Sequence, residues 1–329
     1  MEESMDKDLL GICIPTFNRS SYLRILLDSL VPQAHKYGVI IYISDNGSSD
    51  TTKETVYEFQ KNYGNIVYDR NTTNIGFYRN LIKVLKMAST GYIWMLDDDD
   101  VIRDGAVELI IGSLRSNPDF VILNSSDCNR DMSIKLPKII DCDKNIYYNK
   151  GDHYKVLFDL RKNSYFGTMA MMILKRSVIT DNLNLMEDPS FELFGNSYLP
   201  LLLFYRSIIN KSGIFLCEPV ILRRTNIRSE GDSPFEWHIG GRIRALQWLT
   251  QYGYPEYIVK QSLDHSFSAA LFNAVVVKAE DPRRKIFTEF LKKTRLIPNY
   301  EKLIYLILDN VPTYILKTMR QIIYKLSGI

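Results

Sequence analysis

The 329-residue sequence is poor in cysteine and has no long apolar run. Its four cysteines are Cys13, Cys128, Cys142 and Cys217. They include no CxxC pair, and their spacing fits neither a zinc site nor a disulfide framework, so a reducing, cytosolic compartment is the simplest interpretation. No stretch of about 18 apolar residues occurs, which predicts no transmembrane helix. Residues 1–10 lack the apolar centre of a secretory signal, and we therefore expect none.

An excess of charge of one sign is also absent. The chain holds 41 Lys and Arg against 38 Asp and Glu, a net charge of +3. That charge is too small for a general nucleic-acid binder, so we expect no nucleic-acid partner. Apolar residues at 46% and charged residues at 24% are typical of a folded protein rather than a disordered one. The length suits two moderate domains, or one large domain with an appendage.

Short apolar runs alternate with helical patterns in the first third of the chain, which predicts a mostly parallel α/β sheet. The runs are Leu9–Ile14, Val39–Ile43, Ile66–Tyr68 and Tyr92–Leu96. The helical patterns cover Tyr22–Leu30, Thr51–Tyr63, Ile75–Ala88 and Ala106–Leu114. We expect Pro15 to end the first strand and Ser20 or Ser21 to cap the first helix.

Polar clusters follow three of the apolar runs. They are Pro15–Arg19, Asp45–Asp50 and Asp97–Asp100. Parallel sheets bind ligands at the carboxyl ends of their strands. We therefore expect the three clusters to converge on one crevice.

Four carboxylates at Asp97–Asp100 come directly after the fourth apolar run. Their mutual repulsion is costly unless a cation or water relieves it. Mg²⁺ and Mn²⁺ take oxygen ligands of this kind and share them with substrate phosphates. The run therefore indicates a metal–diphosphate site or, alternatively, an acidic turn before a helix. In an extended chain Asp97 and Asp99 would share one side, and Asp98 and Asp100 the other.

Asp45 and Arg79 are further candidate ligand residues. A carboxylate at the end of the second run, where Asp45 stands, can accept hydrogen bonds from a base or ribose; the alternative is a plain Asn-Gly turn. Arg79 and Asn80 follow Gly76 at a predicted helix start, where an Arg can pair with phosphate. The alternative there is a surface Arg beside a capping Asn.

Four motifs, in order, resemble the family 2 glycosyltransferases of GT-A fold. They are IPTFNR at Ile14–Arg19, SDNGSSD at Ser44–Asp50, NIGFYRN at Asn74–Asn80 and LDDDD at Leu96–Asp100. The match is strong over Leu9–Leu114 and extends to about Tyr205. It implies a GT-A catalytic domain over residues 1–235, a Rossmann-like nucleotide-sugar-binding sheet with flanking helices. A helical, basic C-terminal region over residues 236–329 would follow it.

The resemblance implies a nucleotide-sugar donor, a UDP-sugar, held through its diphosphate by Mn²⁺ or Mg²⁺. The implied donor-binding residues are Pro15, Thr16, Phe17, Arg19, Asp45, Asn74, Gly76, Arg79, Asp97 and Asp98. Of these, Asp45 would bind the base and Asp97 would face the ribose or sugar. Asp99 and Asp100 would ligate the metal, and His238 is either a further ligand or a packed or surface histidine.

An inverting transfer also needs a general base that takes the proton of the acceptor hydroxyl. Relatives supply it from an acidic pair after the metal motif, and here Glu187 and Asp188 lie at the corresponding distance. Glu192 competes for that role, and all three are otherwise acids at a helix start. The Gln-x-x-Arg-Trp motif of the processive synthases is missing, which predicts transfer of one sugar or a few.

Basic residues are concentrated at the C-terminal end. Residues 278–329 carry 11 basic and five acidic side chains, and an apolar stripe follows Pro312. This pattern predicts contact with an anionic membrane surface, or docking onto the protein itself or a second subunit in a homo-oligomer. Earlier, Arg223–Arg228 forms a turn-prone basic segment that is expected to close over the donor.

Three functions compete for this sequence. The first is a metal-dependent glycosyltransferase that acts on a glycan or polyprenyl-linked acceptor in bacterial surface-polysaccharide synthesis, at the cytoplasmic face of the membrane. The second is a sugar nucleotidyltransferase, which normally carries a Gly-rich, basic loop after its first strand; Pro15–Arg19 is not such a loop. The third is a non-catalytic nucleotide-sugar-binding protein, against which the intact aspartate run argues.

Overall fold

A computed structural model describes residues 8–129, 135–160, 168–187, 199–224 and 241–262, with single residues at 312, 315 and 318. Their contacts form two compact units. The first holds the described residues up to 153 together with 168–187 and 199–224, and the second holds 154–160 and those from 241 onward. The predicted domain boundary between residues 235 and 236 lies outside the described residues.

Strands and helices alternate along the chain. The strands are β1 (Leu10–Thr16), β2 (Ile40–Asp45), β3 (Ile66–Arg70), β4 (Tyr92–Met95), β5 (Val101–Ile102), β6 (Phe120–Cys128), β7 (Lys135–Lys138), β8 (Ile146–Tyr148), β9 (Met172–Lys175) and β10 (Gly213–Arg224). The α-helices are α1 (Ser20–Tyr37), α2 (Thr52–Asn62), α3 (Phe77–Met87), α4 (Ala106–Leu114), α5 (His153–Leu160), α6 (Arg176–Leu183), α7 (Leu199–Ser207) and α8 (Gly241–Thr250). Two 3-10 helices cover Met169–Met171 and Asn184–Glu187.

The strands form one mixed sheet in the order β3-β2-β1-β4-β9-β6-β10-β5, with β7 beside β6 and β8 beside β10. Strands β1, β2, β3, β4, β6 and β10 run in one direction, and β5, β7, β8 and β9 run against them. The prediction of a mostly parallel α/β sheet is confirmed. Because six strands share a direction, their carboxyl ends open on one edge of the sheet.

Helices cover the sheet through apolar side chains at helical spacing. In α1 the predicted stripe of Leu23, Leu26, Leu27 and Leu30 is fully buried. β1 is buried along its whole length, as expected of a parallel strand covered on both faces. Trp94 in β4 is fully buried, and its indole N–H donates to the carbonyl of Ala170 at 2.7 Å. These contacts make the centre of the sheet a rigid support for its polar edge.

β1 continues past the residue that was expected to end it. Its ladder with β4 stops at Cys13, whereas its ladder with β2 runs on through Pro15 to Thr16. Pro15 therefore lies where β1 has one neighbour only, a position that tolerates a residue without a backbone N–H. The predicted strand end was two residues short for that reason.

The start of α1 is capped from another loop. The sequence predicted Ser20 or Ser21 as the cap, but α1 begins at Ser20 and no side chain of the preceding Arg19 caps it. A carboxylate oxygen of Asp50 instead accepts the N–H of Ser20 at 2.9 Å. The cap prediction was wrong because the partner comes from the loop after β2, which ties the first two strand ends together.

The expectation of no disulfide is also wrong. Cys142 and Cys217 form a disulfide bond with a Cα–Cα distance of 5.8 Å, and they lie 75 residues apart. Strand β8 pairs with the start of β10 and brings the segment before it, with Cys142, alongside Cys217. Sequence spacing cannot reveal this pairing. Cys13 and Cys128 are free and buried.

Reduction of the Cys142–Cys217 bond is expected to lower the free energy of unfolding. A cross-link that closes a loop of this length contributes about 4 kcal/mol, chiefly by constraining the unfolded chain. We expect a reductant to lower the Tm by about 6 °C in a thermal scan. A Cys142→Ser, Cys217→Ser double variant should show the same low Tm and no further response to reductant. An unchanged Tm with four titratable thiols before reduction would contradict the bond.

Several predicted features cannot be placed in this fold. Asp188, Glu192 and His238 lie outside the described residues, as does the apolar stripe after Pro312 apart from Ile315. Within the described part of the chain, no helix is both long and apolar enough to cross a bilayer.

Candidate active site

Polar residues at the ends of β1, β2 and β4 meet at the carboxyl edge of the sheet. The N–H of Asn46, just after β2, donates to the carbonyl of Thr16 at 2.9 Å. The N–H of Leu96, just after β4, donates to the carbonyl of Cys13 at 3.0 Å. These bonds extend the parallel pairing beyond the strands. They bring together the three clusters that the sequence placed at strand ends.

Asn18 fastens the loop after β1 to the loop after β2. Its backbone adopts a left-handed conformation with φ of 52°, which asparagine tolerates better than most residues. Its N–H donates to the hydroxyl of Ser48 at 2.9 Å, and its side-chain oxygen accepts the N–H of Ser49 at 2.7 Å. The loop that carries Phe17 and Arg19 is therefore fixed against the Asp45–Asp50 turn.

Gly47 allows this turn to approach the chain before α3. Its φ is +80°, and a Cβ placed there would stand 2.9 Å from the carbonyl carbon of Thr73. Backbone atoms cannot rotate away from such a contact, so any other residue is excluded by space as well as by conformation. The glycine of the SDNGSSD motif thus has a steric role.

Asp45 is the last residue of β2 and is fully buried. One carboxylate oxygen accepts the N–H of Ser48 at 2.8 Å, and the other accepts the hydroxyl of Tyr68 at 2.7 Å. Arg70 adds an ion pair at 3.4 Å to the second oxygen. Burial, followed by the hydrogen bond to Asp45, raises the pKa of Tyr68, so the phenol stays protonated and donates.

Sequence reasoning missed Tyr68 and Arg70. They stand two residues apart at the end of β3, so their side chains leave the same face of the strand. In the register of the sheet Asp45 lies directly opposite Arg70. Alternating Tyr and Arg at the end of the strand next to a motif aspartate is the signal that would have found them.

Asn74 and Gly76 shape the entry to α3. The side-chain oxygen of Asn74 accepts the N–H of Gly76 at 2.8 Å and an amide hydrogen of Asn46, also at 2.8 Å. Gly76 adopts φ of +87° directly before the helix. The side-chain oxygen of Asn74 thus holds the loop, which is a supporting contribution to the site.

Asn80 holds α3 against β2. It is 2% exposed; its amide group donates to the carbonyl of Ser44 at 2.8 Å and its oxygen accepts the hydroxyl of the same residue at 2.7 Å. The alternative that Asn80 is a capping residue is wrong, because it lies inside the helix and faces the sheet. Its neighbour Arg79 is consequently turned outward and exposed on the first turn of α3.

The four aspartates lie in the short turn between β4 and β5, and they alternate as expected. Asp98 and Asp100 are 5% and 1% exposed. Asp97 and Asp99 are half-buried and lie on the more open side. This second pair is therefore the more accessible one to a ligand.

Asp98 is committed to contacts within the protein. One of its oxygens accepts the hydroxyl of Thr16 at 2.7 Å, and the other pairs with Arg19 at 2.9 Å. The same nitrogen of Arg19 lies 2.9 Å from an oxygen of Asp99. Thr16, Arg19, Asp98 and Asp99 therefore form one connected cluster, in which a single guanidinium nitrogen bridges two carboxylates.

Burial raises the pKa of all four aspartates, and the charges of neighbouring aspartates raise it further for Asp97, Asp98 and Asp100. The pKa reaches about 7 for Asp97 and about 6 for Asp98, where the charge of Arg19 opposes the rise. For Asp100, burial and the charges of Asp97 and Asp99 raise the pKa well above its ordinary value. This turn thus holds more negative charge than the neighbouring cations compensate.

The stability of the metal-free protein is expected to fall as the pH rises through this range. The carboxyl of Asp97 titrates near 7 in the folded protein and near 3.9 in an unfolded chain. Between those values the folded state binds more protons, so the free energy of unfolding decreases with increasing pH. From pH 6 to pH 8 the loss is about 1.4 kcal/mol, or about 2 °C in Tm. An Asp97→Asn variant should lose less; an identical loss in both proteins would contradict the assignment.

The turn suits a metal ion that takes only some of its ligands from the protein, rather than one that is fully enclosed by protein ligands. Among the described residues, no three acidic, histidine or cysteine side chains are grouped to hold a metal ion. One oxygen of Asp100 is buried, and no hydrogen-bond donor of the described chain reaches it. Mg²⁺ and Mn²⁺ commonly use one or two carboxylates and complete their coordination with substrate phosphates and water. The carboxylates present fit that mode of binding.

Polar residues at the carboxyl ends of β6 and β10 extend the same edge of the sheet. Arg223 pairs with Asp127 at 3.0 Å and donates to the hydroxyl of Thr168 at 2.6 Å. Arg224 donates through Nε to the carbonyl of Asp99 at 3.0 Å. Both arginines are the last residues of β10, so the prediction that they begin a loop was wrong. Asp127, near the end of β6, was not predicted.

The candidate general bases lie at the limit of the described chain. Glu187 is the last residue of the second 3-10 helix, whereas Asp188 and Glu192 fall beyond it. Their roles therefore stay predictions, as does that of His238.

A mostly parallel sheet that gathers acidic groups at the carboxyl ends of its strands is typical of nucleotide-binding enzymes. Comparison with known proteins identifies the enzyme family. The sequence profile of glycosyl transferase family 2 matches residues 11–183, more than half of the chain. The chain belongs to this family, and the expectation of a glycosyltransferase enzyme is confirmed.

Curated relatives are similar over part of their length. The abequosyltransferase RfbV of Salmonella typhimurium is 32% identical over 126 residues, which are 38% of this chain and 38% of that protein. A Campylobacter jejuni GalNAc(5)-diNAcBac-PP-undecaprenol beta-1,3-glucosyltransferase is 35% identical over 103 residues, 31% of this chain and 33% of that protein. The matched segments thus span about a third of each relative.

Solved structures share the fold over nearly the whole chain. The crystal structure of S. aureus TarS 1-349 has a TM-score of 0.65 at 14% identity and covers 98% of this chain and 92% of that one. The same protein in complex with UDP-GlcNAc gives a TM-score of 0.67, with 97% and 92% covered. At this identity the likeness establishes the GT-A fold.

Proposed function

We propose that this glycosyltransferase moves a sugar from a nucleoside diphosphate donor, a UDP-sugar, to a glycan or polyprenyl-linked acceptor. The proposed process is synthesis of a bacterial surface polysaccharide. The observation that carries the proposal is the position of Asp45 and of Asp97–Asp100 at one edge of the sheet. Two acidic groups on parallel strand ends suit the two polar parts of such a donor, its base and its diphosphate.

The roles of Asp97 and Arg79 follow from their exposure, and that of the buried Asp45 follows from its position at the end of β2. Asp45, held by Tyr68, binds the base beside Pro15 and Phe17. Asp97, on the open side of the turn, binds the ribose or sugar. Arg79, turned outward from α3, pairs with the diphosphate, because a guanidinium suits phosphate oxygens.

Asp99 and Asp100 would hold Mn²⁺ or Mg²⁺. When bound, the metal supplies positive charge to the departing diphosphate. Of the two aspartates, Asp99 is the more open and is the principal ligand in this proposal. His238 remains a candidate for an additional ligand.

The acceptor hydroxyl attacks the anomeric carbon as the bond from that carbon to the diphosphate oxygen breaks, the nucleoside diphosphate leaves, and the hydroxyl proton passes to a carboxylate. We assign that carboxylate to Asp188, with Glu187 and Glu192 as competing candidates. A direct displacement of this kind inverts the anomeric configuration. The missing Gln-x-x-Arg-Trp motif favours transfer of one sugar rather than polymerisation.

The acceptor assignment draws on the relatives. One of them is named for an undecaprenol-linked acceptor and another for abequosyl transfer. An acceptor on a polyprenyl carrier places the reaction at a membrane, where the basic residues of the C-terminal end would contact anionic lipid. We therefore propose a peripheral enzyme at the inner face of the cell membrane.

A transfer assay tests this function. The purified protein is incubated with Mn²⁺, a panel of nucleotide-sugars labelled in the sugar, and polyprenyl diphosphate-linked glycans of the source organism. We expect label in the lipid-extractable product with one donor, and loss of that product with chelator. Release of pyrophosphate from a nucleoside triphosphate and a sugar phosphate would instead indicate a nucleotidyltransferase. Donor binding without transfer to any acceptor would favour a non-catalytic role.

A further inference from the structure

Arg19 bridges two carboxylates of the aspartate turn. It directly precedes α1, and its side chain reaches back to the turn after β4. One of its nitrogens lies 2.9 Å from a carboxylate oxygen of Asp98 and 2.9 Å from one of Asp99. A positive group that bridges two carboxylates in this way resembles a metal ion shared between ligands.

The two bridged carboxylates differ in their remaining contacts. Asp98 is fixed, because Thr16 donates to its second oxygen and the side chain is only 7% exposed. Asp99 lies on the open side of the turn with its side chain 14% exposed. The bond from Arg19 to Asp98 is therefore the anchor, and the bond to Asp99 is the one that can be released.

Arg19 and a divalent cation cannot share Asp99 easily. Two positive groups on one carboxylate would repel each other across a few ångströms in a partly buried turn, where water screens them weakly. A diphosphate changes this balance, since it offers new negative oxygens to both the guanidinium and the metal.

We propose that Arg19 is an internal counter-ion that holds Asp99 until the donor binds. The diphosphate draws the guanidinium from Asp99, and that carboxylate then accepts the metal. Metal binding consequently depends on the nucleotide. This inference rests on the proposed donor site, and it makes Arg19 a positioning residue that acts through Asp99.

Binding of Mn²⁺ alone, measured by calorimetry or by the EPR signal of free Mn²⁺, tests the proposal without catalysis. The wild-type protein is expected to bind Mn²⁺ weakly without nucleotide, and at least about tenfold more tightly with the nucleoside diphosphate that it prefers, a coupling of about 1.4 kcal/mol. Arg19→Gln should bind Mn²⁺ alone at least about tenfold more tightly than the wild type, which is the same coupling without nucleotide. Nucleotide should then raise its affinity by a smaller factor than in the wild type, since only the phosphate ligands are added.

A matched variant separates the position of Arg19 from its charge. Arg224 is equally cationic and close to Asp99, but its side chain donates to the backbone carbonyl of Asp99 rather than to the carboxylate. We expect Arg224→Gln to leave the affinity for Mn²⁺ alone within about threefold of the wild type, since the carboxylate stays bridged. If Arg19→Gln does not fold by circular dichroism, Arg19→Met, which keeps the apolar stem, carries the same expectation.

The outcomes are distinguishable. Tight Mn²⁺ binding by Arg19→Gln without nucleotide, with Arg224→Gln like the wild type, supports the counter-ion. Equal gains in both variants, or no gain in the Arg19 variants while wild-type protein binds Mn²⁺ with nucleotide, would overturn it and leave the donor site intact. Absence of Mn²⁺ binding in every protein, with and without nucleotide, would overturn both the inference and the proposed metal site.

Discussion

Replacing Asp99 with asparagine is expected to lower the rate of sugar transfer by about a thousandfold, equivalent to about 4 kcal/mol of transition-state stabilisation. Asparagine keeps the shape of the side chain but removes the charge that would hold a cation near the leaving diphosphate. The loss should appear in kcat, because the charge is needed most where the diphosphate departs. Steady-state transfer assays at saturating Mn²⁺ measure it directly.

Asp104→Asn is the matched control for this substitution. Asp104 follows β5, only five residues from Asp99, and is exposed to solvent. It should retain wild-type kcat and wild-type dependence on Mn²⁺. If Asp99→Asn transferred sugar at the rate of the control and still required Mn²⁺, Asp99 would not be the metal ligand.

Replacing Asp45 with asparagine is expected to weaken nucleotide binding by about 10- to 100-fold, the range for losing a hydrogen bond to a charged group. The buried carboxylate accepts from Ser48, Tyr68 and Arg70, and an amide nitrogen cannot accept from the last two. The affinities for nucleotides with different bases should also become more alike, because the base would lose a fixed hydrogen-bond acceptor. Calorimetric titration with UDP, CDP, GDP and dTDP measures both effects.

Tyr68→Phe separates the orientation of Asp45 from its charge. The variant removes only the hydroxyl that donates to Asp45, so it should weaken binding of the preferred nucleotide by about tenfold and leave kcat near the wild-type value. Tyr147→Phe is the control, since Tyr147 in β8 is 69% exposed. A Tyr68→Phe variant with unchanged nucleotide affinity and selectivity would show that Asp45 needs no such support.

Much of the fold could be predicted because its signals are local. Buried parallel strands appear as apolar runs, and the leucines of α1 recur at helical spacing, so the predicted order of elements up to α4 was correct apart from the two-residue β5. The ends of elements were less accurate, because distant residues set them. Asp50 caps α1 from the next loop, and Pro15 is tolerated in β1 because β4 stops short of it.

The sequence predicted which motifs meet at the edge of the sheet, but not which of their side chains contact each other. The exposure of Asp97–Asp100 alternates as expected for an extended chain, although Asp98 and Asp99 lie in a turn. The pairing of Arg19 with Asp98, of Tyr68 with Asp45 and of Arg223 with Asp127 depends on strands that are distant in sequence. No spacing rule reveals such pairs, and the same holds for the Cys142–Cys217 bond, which depends on β8 lying against β10.

The central claim is that one edge of the sheet binds a nucleoside diphosphate together with a divalent metal. A thermal-shift panel of nucleoside diphosphates and nucleotide-sugars, each with Mn²⁺ and with chelator, tests it most directly. A ligand at a hundred times its Kd should stabilise the fold by about 2.7 kcal/mol. We predict a shift with one nucleotide class that disappears with chelator and in Asp99→Asn. A well-folded sample that shows no shift with any nucleotide, or the same shift with chelator, would contradict the claim.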